Sequence, residues 1–283
     1  MTQQSEHYYL PEPSTWPIKA ATALGLLGFG AALSVNHLTL GYVLLGLGFL
    51  TLFYMFAGWF TTVAHESEGG KYNQQVDASF RWGMGWFIFS EVMFFAVFFG
   101  TLFYMRVISV PDLASFVHQE LVWPGFKADW PASGPGIKEQ FTPMGAWGIP
   151  ALNTLLLLSS GVTITWAHWG LLKNNRLQLI WGLAMTIALG MTFLGFQIYE
   201  YGHAYSELNL KLTTGAYGAT FFMLTGFHGF HVTVGTIMLW VILFRCVAGH
   251  FKPKHHFGFE GVAWYWHFVD VVWLLLFVLV YYL

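Results

Sequence analysis

The sequence predicts an all-α, polytopic membrane protein, and three observations carry that reading. Hydrophobic residues make up 56% of the 283, charged residues only 9%, and seven stretches are apolar enough to cross a bilayer. A soluble domain carries about a quarter charged residues, so this chain has too few to cover a surface in water. The formal net charge of −2 leaves no basic footprint for nucleic acid, and none is expected as a partner. One cysteine, Cys246, excludes an intrachain disulfide, a CxxC redox pair and a thiolate-rich metal centre.

The spans follow in order, each close to the roughly 20 apolar residues that a bilayer requires. Residues 18–35 form the first, with Lys19 at its edge, where a lysine can snorkel. The residues before it include Glu6, Pro11, Glu12 and Pro13 and lack the basic start and short apolar core of a cleavable signal. Residues 40–64 form the second span and 82–107 the third. A long connection, 108–144, holds Pro111, Pro124, Pro131, Pro135 and Pro143, half of the ten prolines. It is expected to be ordered coil or short turns, serving as a lid over the helix ends or as a partner-binding loop. Residues 145–169 and 177–201 are joined by Lys173-Asn174-Asn175-Arg176, too short for anything but a tight helical hairpin. Residues 216–244 and 262–283 complete the set.

Small residues recur inside the spans: Gly25, Gly28 and Gly30; Gly41, Gly46 and Gly48; Gly218, Thr225 and Gly229. Such positions let helix backbones approach closely in lipid, and close packing is the role expected of them.

Orientation follows from the lysines and arginines of alternate connections. A cytoplasmic N-terminus puts Lys19, Lys71, Arg81, Lys173, Arg176, Arg245, Lys252 and Lys254 inside and Arg106, Lys127, Lys138 and Lys211 outside. Eight against four favours N-inside and C-outside.

An ionisable residue within a span is costly and therefore a functional candidate. Glu91 is the sharpest case. It lies about 15 Å beyond Arg81 at helical rise, and Phe87, Ile88, Phe94 and Phe95, one turn away, cannot pair with it. The carboxyl group is either protonated or partnered from another helix. Asp270 lies about 15 Å beyond Glu260, level with Glu91, and His231 about 21 Å beyond Arg245. Glu91, His231 and Asp270 are expected to form one buried polar cluster, which either handles protons or holds helices together by a hydrogen bond. His228 and His231 share a helix face at i,i+3, a geometry that can bind metal, but two histidines are too few for a closed site. No metal site is expected. Trp59, Glu66, Arg245 and His250 fall near one membrane face. An arginine there can grip a lipid phosphate through two parallel hydrogen bonds, and ordinary interface anchoring is the alternative use.

Several blocks resemble cytochrome c oxidase subunit III. They are Phe89-Ser90-Glu91-Val92-Met93-Phe94-Phe95, Asn153-Thr154 with Ser160 through His168, and Thr225-Gly226-Phe227-His228-Gly229-Phe230-His231-Val232. The run His255 through Glu260, continued by Ala263 through Trp273, belongs with them, and so does the start from Tyr8 to Pro17. The blocks reach from one end of the chain to the other, and only the connection at 108–144 matches poorly beyond Trp130-Pro131.

The resemblance implies a two-helix bundle, residues 1–70, and a five-helix bundle, 71–283, with a lipid-filled cleft. It implies a non-redox subunit of an aa3-type oxidase, with haem a, haem a3 and copper held by partner subunits I and II. Its role would be to sustain proton uptake, bind phospholipid and protect the active site of subunit I. Glu91 matches the family's membrane carboxylate and His231 its partner, while Trp59, Glu66, Arg245 and His250 match lipid-lining positions. The expected location is a bacterial plasma membrane, with the mitochondrial inner membrane as the alternative. Subunit III of a quinol oxidase is the nearest rival, disfavoured by the matching first two spans. A proton-coupled transporter would need ionisable groups across the whole membrane. A histidine-box metalloenzyme would need more patterned histidines.

Overall fold

The computed structural model describes residues 9–137 and 140–283. Glu6 and Tyr8 at the start, and Lys138 in the long connection, lie outside the described residues. Among the described residues the regular elements are helices, apart from one isolated bridge between Lys252 and His255. Seven helices are long and apolar enough to span a membrane. The chain divides into two compact units, one ending at Phe80 and the other running Arg81–Leu283.

The first unit is a helical hairpin of α1 (Trp16–Val35) and α2 (Thr39–Glu68), followed by the first two turns of α3 (Gln74–Phe103). Apolar burial drives no association between helices in lipid, so contact depends on how closely the backbones pack. A side chain on Gly30 would stand 2.7 Å from the backbone nitrogen of Leu45. Gly41 faces Ser34 in the same seam, and Gly48 faces Leu27. By contrast, Gly25, Gly28 and Gly46 have nothing within 4 Å. Only part of the glycine pattern serves this seam; the rest looks outward.

The second unit holds most of α3 and the four long helices α6 (Ile149–Leu172), α7 (Arg176–Ser206), α8 (Ala216–Ala248) and α9 (Phe257–Leu276). Beyond Phe103, α3 passes through a π-helical segment, Tyr104–Ser109, into the short α4 (Val110–Leu113). Pro111 removes a backbone donor and crowds the preceding turn, and the π-helical stretch lies where that hydrogen-bond ladder must shift. The third span is therefore longer than 82–107, and the connection correspondingly shorter, with one further turn of helix, α5 (Phe116–Leu121). The connection leads into α6 through Gly148, whose φ of 100° only glycine adopts readily.

The hairpin of α6 and α7 turns at Asn174, and the Asn175 side chain caps α7 by accepting from the Gln178 amide at 3.2 Å. Its seam is narrow: Gly170 lies against Leu179, Ala167 against Gly182, and the Thr163 and Thr186 hydroxyls share a 2.8 Å hydrogen bond. At the core, α9 buries Trp266 and Trp273 completely. Their indole N–H groups donate to Ser160 at 2.8 Å and Thr154 at 2.9 Å on α6. A π-helical turn, Phe277–Tyr282, ends the chain.

Candidate functional site

Glu91 on α3 and His231 on α8 meet at 2.9 Å between Oε2 and Nε2. The imidazole is fixed from its other side, where Nδ1 faces the carbonyl oxygen of Phe227 at 2.7 Å. A carbonyl only accepts, so Nδ1 carries a proton. Nε2 is then either a bare acceptor facing a protonated carboxyl or part of an imidazolium facing a carboxylate. In both states a single proton occupies the contact and the pair is neutral as a whole. A carboxylate beside a neutral imidazole would set two acceptors against each other. The contact as drawn therefore requires one proton between the two groups.

Aromatic rings enclose the pair. Phe94 and Phe95 on α3 stand 5.9 and 5.0 Å from the His231 ring, and Tyr265 and Phe268 on α9 stand at 6.3 and 6.5 Å. The Tyr265 hydroxyl donates to the His231 backbone carbonyl at 3.3 Å. The side chains of His231 and Glu91 are 9% and 22% exposed, so the carboxyl keeps a face open at the edge of the unit.

Asp270 is buried but does not join this pair. Its Oδ2 lies 3.7 Å from Nδ1 of His267 on its own helix, and it packs against Gly161 of α6. The His267 ring continues to the Thr165 hydroxyl of α6 at 3.2 Å. Depth and direction separate here. Asp270 shares the level of Glu91, but at about 100° per residue it points some 140° away from Tyr265. Gly161 leaves the room that the carboxylate fills.

Two ionisable contacts were not expected from the sequence. Arg81 binds Glu260 across α3 and α9, with Nη2 at 2.8 Å and Nε at 3.0 Å from the same oxygen. Glu200 on α7 is 1% exposed and accepts a 2.6 Å hydrogen bond from the Tyr281 hydroxyl. The rule that singled out Glu91 applies equally to Glu200. It escaped notice because it falls one residue from the end of the predicted 177–201 span, where a carboxylate can ordinarily reach the headgroups.

The lipid-facing candidates are placed as follows, each within its own unit. In the first, Trp59 is exposed on α2, and Glu66 accepts hydrogen bonds from Tyr9 at 2.9 Å and Tyr72 at 2.8 Å. Burial and the Glu66 hydrogen bond raise the Tyr72 phenol above its ordinary pKa, and that hydrogen bond raises Tyr9 as well. In the second, Arg245 is partly buried near the end of α8 with its guanidinium 4.6 Å from the Phe251 ring. His250 is exposed just past the left-handed Gly249 that closes α8. Cys246 is buried, and Arg176 donates to its carbonyl.

Among the described residues no group of three or more His, Cys, Asp or Glu side chains could hold a metal ion. One buried thiol cannot supply the paired thiolates of a dinuclear copper centre.

Comparison with known proteins gives a consistent result. The family model described as "Cytochrome c oxidase subunit III" matches residues 6–283. The cytochrome c oxidase subunit 3 of Prototheca wickerhamii is 41% identical over 276 residues, covering 97% of each chain. That of Homo sapiens is 41% identical over 281 residues, covering 99% of this chain and 98% of the relative. For Marchantia polymorpha the identity is 39% over 279 residues, covering 98% and 97%.

Proposed function

The chain belongs to the cytochrome c oxidase subunit III family, and from that premise we propose that it serves an aa3-type oxidase as a non-redox subunit that sustains proton uptake by subunit I. As a cytochrome c oxidase subunit it works within a complex, and it is a multi-pass membrane protein. Oxygen reduction at haem a, haem a3 and copper belongs in this reading to subunits I and II. This chain's part is protonic and structural.

The observation that carries the proposal is the Glu91–His231 pair. It holds one proton across a 2.9 Å contact, enclosed by aromatic rings, with one face of the carboxyl open. A proton that passes between the carboxyl and the fixed imidazole moves charge within the contact while the pair stays neutral as a whole, which a bilayer favours; a proton taken up from outside would charge the pair until it is passed on. Phospholipid binding is the second part of the role, assigned to Trp59 and Glu66 in one unit and Arg245 and His250 in the other. Ordered lipid at those positions would protect the active site of subunit I. We place the N-terminus on the cytoplasmic side of a bacterial plasma membrane. The relatives from Homo sapiens and Marchantia polymorpha keep the mitochondrial inner membrane as the alternative.

The test is Glu91→Gln in the assembled oxidase. The amide donates to the bare Nε2 of His231 and so keeps the contact, but it cannot ionise. Oxygen consumption or its proton yield should fall while the subunits still co-purify. Wild-type values of both in the assembled variant would reduce Glu91 to a structural role.

A further inference from the structure

We propose that the second unit contains a buried hydrated site, a cluster of ordered water molecules held by Asn153, Gln197, Glu200 and His228. It lies toward the end where α6 begins and α7 finishes, and it is separate from the Glu91–His231 contact.

The four side chains come from three helices, and the packing registers bring them to one level. Thr163 and Thr186 are paired across the α6–α7 seam. Ten residues further along each helix stand Asn153 and Phe196, which neighbours Gln197. Across α7 and α8, the Tyr201 hydroxyl meets Thr225 at 2.7 Å. Three residues on from that pair are Ile198, also a neighbour of Gln197, and His228. Glu200 is one turn from Gln197 on α7. The π-helical turn at the end of α9 supplies Tyr281, which donates to Glu200 Oε1 at 2.6 Å and lies near the Gln197 amide. Phe193 and Trp273 pack on the His228 ring at 5.7 and 5.2 Å and close the site from the bundle centre.

All four residues are at least nine-tenths buried: Asn153 at 0% exposure, Glu200 and His228 at 1%, and Gln197 at 5%. Six of their polar atoms have no well-formed hydrogen bond: both amide atoms of Asn153 and of Gln197, the latter with only a loose approach to the Tyr281 hydroxyl, Oε2 of Glu200 and Nδ1 of His228. The state of the histidine follows from its neighbour. Nε2 faces the Val269 carbonyl at 3.2 Å and must donate to it, so in the neutral ring Nδ1 is a bare acceptor. Buried polar atoms are almost always paired, with protein or with ordered water. An apolar occupant would leave all six unmatched. A metal ion would suit the oxygens and the ring nitrogen but would meet two amide groups that also carry N–H donors. Water is both donor and acceptor, and a buried molecule makes about three hydrogen bonds, so two molecules suffice for the six atoms.

A cryo-electron microscopy map of the intact oxidase complex, at a resolution that displays ordered water, tests the assignment directly. Two or more densities at about 3 Å from Asn153, Gln197, Glu200 Oε2 and His228 Nδ1 are the expected result. Asn153 and Gln197 bonded to each other with no density between them would overturn it. So would a single density with the short contacts of a metal cation. In the same complex, Gln197→Leu should remove at least one density while the Glu200–Tyr281 contact stays; unchanged densities would refute the role of Gln197. If that variant fails to assemble, the wild-type map decides.

Discussion

The edge of the Trp266 indole lies against Gly190, so that a methyl group added to that glycine would stand 2.7 Å from the ring. The same indole donates through Nε1 to Ser160 and is fully buried. One α9 side chain thus fits against α7 while it hydrogen-bonds to α6. Gly190→Ala should displace the ring and cost about 1–3 kcal/mol, the usual penalty for overpacking a filled core. Gly25→Ala, where nothing lies within 4 Å, should change stability by less than about 0.5 kcal/mol. Thermal melting of the solubilised complex separates the two. Equal effects would mean that helix propensity, not the close approach, sets the response.

The Glu91–His231 contact predicts a graded series. Glu91→Gln keeps a donor opposite the bare Nε2 and should melt close to wild type. Glu91→Leu removes it and leaves a buried ring nitrogen without a partner, at a cost of about 1–3 kcal/mol. The lower end is expected, because the Glu91 side chain is 22% exposed. If the glutamine and leucine variants melt alike, the hydrogen bond contributes nothing and the rings alone hold the helices.

In the first unit, Glu66 accepts from two phenols, and the phenol of Tyr72 is raised above its ordinary pKa by burial and by that hydrogen bond. A raised acid favours the folded state while it stays protonated. Its contribution is fully present below about pH 10, the unfolded value, and is lost as pH climbs from there through the folded value. Tyr72 should therefore make stability no function of pH near neutrality and make it fall in alkali. Ultraviolet titration of the tyrosinates should show one late phenol fewer in Tyr72→Phe. Glu66→Gln should bring the late phenol down, since it removes the negative charge that opposes ionisation.

Much of the architecture was legible in the sequence because a bilayer makes strong demands. Seven apolar stretches with few charges fix seven helices, and Lys173 through Arg176 fix a hairpin. Depth was legible too, since helical rise placed His231 near Glu91. Direction around the helix was not. These helices are apolar on most sides, so the pattern of residues does not say which face meets which neighbour. Asp270 is the case in point: it sits at the expected level but turns to Gly161 and His267. The glycines show the same limit, with Gly30 and Gly41 in the seam while Gly25 and Gly46 look outward. Glu200 was missed for a different reason. Its place near a span edge suggests solvent, whereas Tyr281, 81 residues later and brought round by a π-helical turn, buries it.

Asp270 and Gly161 give the most direct check on this part of the packing. The carboxylate Oδ2 occupies the space where a Gly161 side chain would begin, so Gly161→Ala must push the carboxylate aside. That move strains α9 and breaks the contact with His267, and a loss of about 2 kcal/mol is expected. Asp270→Ala removes the obstruction and should carry its own cost, from the cavity it leaves and the lost His267 contact. The informative variant is the double one. With the carboxylate gone, the alanine at position 161 has room, so Gly161→Ala should add almost nothing to the cost of Asp270→Ala. Residues in contact couple in this way, whereas independent sites add to within about 0.5 kcal/mol. Melting temperatures of the two single variants and the double variant, in the same detergent, measure the coupling. Simple additivity would mean that Asp270 does not lie against Gly161, and the orientation of α9 about its own axis would have to be redrawn.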